Sequence, residues 1–115
     1  MTPELKEKWI DDLRTAAHTR DKLVKLTPDG FGFCCLGRLA VLLGGKVEPV
    51  RDALGAVNIV RDGEVMCDTR YYGTINSAVR EEAGLTEQHQ IELTLANDRS
   101  LRGFEPVIAW IEENL

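Results

Sequence analysis

The stretch Phe33-Cys34-Cys35-Leu36-Gly37-Arg38-Leu39-Ala40-Val41-Leu42-Leu43-Gly44-Gly45 decides how this chain folds. Between Cys34 and Leu43 the only charge is Arg38. Such an apolar run suits either a buried strand or a buried helix, but Ala40 and the double-glycine stop favour helix. A helix this apolar belongs at the centre of the molecule, buried on most sides. Phe31 and Phe33 lead into it. Gly37 within a helix costs about 1 kcal/mol relative to alanine, so it predicts close approach of another backbone, from the last helix or from a hairpin.

Toward the N-terminus, Pro28-Asp29-Gly30 reads as a turn and Lys22–Leu26 as a short extended piece. Thr2-Pro3-Glu4 is a helix start: a hydroxyl cap, proline in the first turn and an acid beside it. Leu5, Trp9 and Leu13 follow at i, i+4, i+8, and Ala16-Ala17 continue the stripe, so helix one is predicted to reach Ala17 with His18 closing it.

Toward the C-terminus, Ala56–Val60, the turn Arg61-Asp62-Gly63 and Glu64–Cys67 read as a β-hairpin, since Asp-Gly tolerates the positive φ of tight turns. An isolated hairpin is marginal in water, so Lys46–Val50 or Lys22–Leu26 is expected to add a strand. A third helix is predicted over Thr74–Ala83 with Gly84 as its stop. A fourth runs from Leu85-Thr86 through Ile91, Leu93 and Ala96 and closes near Asn97-Asp98. A fifth starts around Gly103–Glu105 and carries Phe104, Val107, Ile108 and Ile111 on one face. The predicted architecture is α+β: mainly helical, about five helices, with one small β-hairpin or sheet, in a single domain spanning 1–115.

Composition agrees with one domain. The chain has 115 residues, 43% hydrophobic and 29% charged, near the globular average and far from a disordered composition. No apolar run is long enough for a membrane span, and Glu4, Lys6, Glu7 and Lys8 stand where a signal peptide would be apolar. Three cysteines without C-x-x-C spacing read as reduced thiols. These features lead us to expect a cytoplasmic protein. The net charge of -5 argues against direct nucleic-acid binding, whose affinity comes from clustered Lys and Arg.

Few residues suggest chemistry. Cys34 or Cys35 at a helix N-terminus could be an activated nucleophile, with His89 as its base. Against this, free cysteine is among the most buried residue types and packs as a small hydrophobe. The two histidines and three cysteines are scattered, so no metal site is expected, and no glycine motif for a phosphate or dinucleotide occurs. No cofactor is expected. Arg70-Tyr71-Tyr72 carries residue types enriched at binding hot spots, although one ring could cap the core and the other lie on the surface. Asn97-Asp98 reads most simply as a turn and cap between helices four and five. With Arg70, Tyr71 and Tyr72 it completes the candidate binding set.

Several of these elements together resemble a group of small phage and prophage proteins. The resemblance rests on helix one with Trp9 and Leu13-Arg14, then Phe33-Cys34-Cys35-Leu36-Gly37, then a glycine-turn hairpin. The ending Ala83-Gly84-Leu85-Thr86, Gln90, Asn97-Asp98, Phe104 and Ile108-Ala109-Trp110-Ile111-Glu112 completes it. It covers most of the chain and is loosest over the hairpin. Two departures, Ala96 in place of a leucine and Ala16-Ala17 in place of a Ser-Gly-like helix end, point to local repacking. The resemblance brings no catalytic residues. It implies an accessory protein acting by binding, in host takeover or anti-defence, on a host protein or a small nucleotide in a bacterial cell. The competing reading is a cysteine-dependent hydrolase or transferase using Cys34 or Cys35. A decoy imitating nucleic acid is disfavoured by the mixed charges of helix one.

Overall fold

The computed structural model describes residues 1–50, 55–68 and 73–115. In chain order its elements are α1 (Pro3–Leu13), β1 (Val24–Thr27), β2 (Gly30–Phe33), α2 (Cys35–Leu42), β3 (Lys46–Pro49), β4 (Val57–Arg61), β5 (Glu64–Val65), α3 (Ser77–Ala83), α4 (Glu87–Arg99) and α5 (Glu105–Asn114). The class is α+β, helical for the most part, with two small antiparallel sheets: β1-β2, and β3-β4-β5.

The apolar stretch at the centre of the sequence is the helix α2, and its Cys35, Leu36, Gly37, Leu39 and Ala40 are buried. α1 and α4 pack against it, and α5 packs on both α1 and α4. Trp9 of α1 is fully buried, and its indole Nε1–H donates to the Cys35 carbonyl at 2.9 Å. That bond satisfies the one polar atom of a large ring whose burial otherwise stabilises by area alone. Arg38, the lone charge of α2, reaches Asp12 of α1 with two bonds of 2.7 Å and lies over the Phe33 ring at 4.5 Å. A forked guanidinium on a carboxylate is how an apolar helix keeps one charge at the edge of the core.

Phe31 and Phe33 lead into α2 as a strand: they lie in β2, which returns along β1 with Val24 opposite Phe33 and Leu26 opposite Phe31. The turn read at Pro28-Asp29-Gly30 closes this additional hairpin. Three local readings need correction. Helix one stops at Leu13, not Ala17, and His18 lies beyond it in a bridge to Phe33. The reason is tertiary: Ala17 and Thr19 bond the backbone of Phe33 on either side of His18, which a helix through this segment would forbid. α3 starts at Ser77 rather than Thr74, because Asn76 caps it by accepting from the Val79 N–H at 2.9 Å. Gly37 faces neither the last helix nor the later hairpin. A Cβ there would sit 1.9 Å from the Leu23 carbonyl oxygen, just before β1.

The later hairpin follows its turn chemistry. Asp62 and Gly63 take φ of 52° and 80°, the paired left-handed geometry that twists two strands correctly. Its third strand is β3, antiparallel to β4 with Val47 opposite Ile59.

Candidate functional site

The two cysteines at the start of α2 are buried. Cys34 is the helix cap: its sulfur accepts the Gly37 N–H at 3.4 Å. Burial pushes the Cys34 thiol up to about 12, against the opposing pull of that N–H. Burial also raises the Cys35 thiol well above its ordinary value, and the Cys34 charge adds to this; its S–H points to the Leu93 carbonyl at 3.8 Å. A nucleophilic cysteine needs the reverse, a depressed pKa and access. His89 is occupied elsewhere: its Nδ1 accepts the Thr86 N–H at 3.1 Å in a capping box at the start of α4, and its ring meets Trp110 edge-on. Neither contact involves a cysteine. Among the described residues no cluster of ligating side chains could hold a metal ion, and no helix is long and apolar enough to cross a membrane.

Asn97 and Asp98 are not a turn between helices; both lie inside α4, which continues to Arg99. Asn97 is 1% exposed. Its oxygen accepts the Cys35 N–H at 3.0 Å, and its amide donates to the Thr19 carbonyl at 3.0 Å and to Asp98 at 3.1 Å. Its carbonyl oxygen pairs with His18 Nε2 at 3.0 Å. Asp98 accepts the N–H of Asp21, whose φ of 75° marks a left-handed turn. The pair therefore joins α4 to the N-terminus of α2 and to the connection before β1. Asn97 is consumed by that junction and presents nothing to a ligand. Arg70, Tyr71 and Tyr72 lie outside the described residues.

A site that the sequence did not single out lies on the neighbouring face of α4. A cleft of about 360 Å³ is walled by Glu87, Gln90, Ile91, Thr94 and Leu95 of α4, Arg80 of α3, and Asp68 and Thr74. Its size falls within the range of small-ligand sites. The wall residues of α4 follow i, i+3, i+4, i+7, i+8, one stripe of a helix. Ile91 and Leu95 are 48% and 45% exposed and form an apolar ledge. Gln90 is only 7% exposed; its oxygen accepts the Ile75 N–H at 3.3 Å, while its amide nitrogen has no acceptor among the described residues. The Thr94 hydroxyl is buried, with no hydrogen-bond partner among the described residues. Buried polar atoms of proteins are nearly always bonded, so this hydroxyl stands out. Asp68 and Thr74 already have partners, and they flank the segment that carries Arg70, Tyr71 and Tyr72.

One signal could have found this face. Ile91 and Leu95 are two positions away from Leu93 on either side, which places them off the buried face that Leu93 shares with Asn97. Comparison of the chain with protein-family models, curated proteins and solved structures returns no match. What the fold and cleft define is a class: a small α+β protein with a ligand-sized cleft between two of its helices.

Proposed function

We propose that this protein acts by binding rather than by catalysis, as an accessory protein of the phage type its sequence resembles, and that a small molecule is what the cleft between α3 and α4 takes. The observation carrying this reading is the juxtaposition, in a volume of about 360 Å³, of the apolar ledge of Ile91 and Leu95 with the polar side chains of Arg80, Glu87 and Gln90. Small-ligand sites combine a concave apolar lining with a few convergent polar groups in this way. The catalytic alternative is opposed by buried thiols of raised pKa. The other exposed apolar pair, Leu26 and Phe31, lies on the β1-β2 hairpin.

The test is a nuclear magnetic resonance titration of the labelled protein with a deproteinised small-molecule extract of bacterial cells. Shift changes should concentrate in α3 and α4 and disappear in the double variant Ile91→Asp, Leu95→Asp, which keeps the wild-type melting temperature. Shifts confined to the β1-β2 hairpin, or rapid labelling of native Cys34 or Cys35 by an electrophile, would replace this reading.

A further inference from the structure

Arg80 and Glu87 wall the same cleft, yet neither forms an ion pair among the described residues. They are the first cation of α3 to face the cleft and the first acid of α4. The same wall carries the Gln90 amide nitrogen, without an acceptor among the described residues, and the ledge of Ile91 and Leu95. The donors Arg80 and Gln90 suit a carboxylate. The carboxylate of Glu87 suits an ammonium. The ledge suits a hydrocarbon body.

We propose that the cleft binds a small zwitterion with an apolar side group, of the chemical class of the free apolar α-amino acids. The proposal rests on the reading of the cleft as a small-molecule site. A phosphorylated ligand fits less well, because among the described residues Arg80 is the one cation of the wall and Glu87 stands in the same wall. An uncharged apolar ligand would leave both charges as they are.

Isothermal titration of the intact protein with L-leucine, leucinamide, 4-methylpentanoate and glycine separates these features, since each analogue lacks one of them. L-Leucine should bind, and each analogue should bind at least about tenfold more weakly, the effect of one lost charge-assisted or apolar contact. Arg80→Ala and Glu87→Gln should each weaken L-leucine by a similar factor while melting like wild type. Leucinamide or 4-methylpentanoate binding as tightly as L-leucine overturns the proposal, as does unchanged L-leucine affinity in Arg80→Ala. If no zwitterion binds while the Ile91→Asp, Leu95→Asp variant still abolishes the shifts produced by the cell extract, the ligand class is wrong and the cleft stands.

Discussion

The side-chain oxygen of Asn97 accepts the backbone N–H of Cys35 at 3.0 Å, and so the last third of the chain caps the helix on which the rest of the fold is built. The first N–H groups of a helix have no partner within it. In α2 the Cys34 sulfur takes Gly37 and the Asn97 oxygen takes Cys35, so two of these N–H groups of a buried helix are satisfied without water. The same amide holds Thr19, and Asp98 holds Asp21, so three segments distant in sequence meet at two adjacent residues.

Asn97→Ala should therefore destabilise strongly. It orphans the buried Cys35 N–H and the Thr19 carbonyl together, each worth roughly 1–3 kcal/mol. We expect a loss of about 3 kcal/mol in urea unfolding and a fall of roughly 10 °C or more in melting temperature. A loss below about 1 kcal/mol would mean that water replaces the amide without penalty.

The thiols of Cys34 and Cys35 should resist a water-soluble disulfide reagent in the native protein at neutral pH and react once denaturant is added. The linked pH dependence has a definite sign. The folded pKa of Cys34, about 12, exceeds its ordinary 9.0, so the folded state binds the proton more tightly than the unfolded one. Its contribution is fully present below about pH 9 and is lost as the pH rises toward 12. Denaturant midpoints measured across that alkaline range should fall less steeply in Cys34→Ser than in wild type. Equal slopes would show that Cys34 titrates alike in both states.

Gly37→Ala should be damaging although alanine is the better helix former by about 1 kcal/mol. The added Cβ would lie 1.9 Å from the Leu23 carbonyl oxygen and 2.7 Å from its carbon, which are backbone atoms that cannot rotate aside. We expect a net loss of at least about 2 kcal/mol, since overpacking commonly costs about 1–3 kcal/mol or more, read from urea unfolding. A stabilised variant would show that the segment before β1 moves away freely.

Phe104→Ala should cost about 3–5 kcal/mol, the usual range for an emptied phenylalanine site. Phe104 is buried, starts α5 and meets the His18 ring edge-on at 4.9 Å. Arg102→Ala, exposed two residues earlier, should lie within about 0.5 kcal/mol of wild type. Matching melting temperatures for the two variants would remove Phe104 from the core.

The sequence by itself determined the features that depend on neighbours along the chain. The spacing of Phe104, Val107, Ile108 and Ile111 gave one helix face, and Asp62-Gly63 gave a hairpin turn. Thr86 and Gly84 marked a start and a stop, and the single charge between Cys34 and Leu43 marked a central helix. Each of these is local chemistry: a period, a cap, or a φ that few residues tolerate. Tertiary structure decided the rest. Ala16 and Ala17 continue the stripe of helix one, yet Phe33 claims the backbone around His18 and ends the helix at Leu13. Asn97-Asp98 has the composition of a turn, yet two distant segments, the start of α2 and the connection before β1, need its hydrogen bonds and hold it inside α4. The cleft, likewise, exists only because the fold sets Arg80 of α3 and Glu87, Gln90 and Thr94 of α4 around one space. A side chain's own backbone sets its local preference, but which unsatisfied group it meets is set by what the fold places beside it.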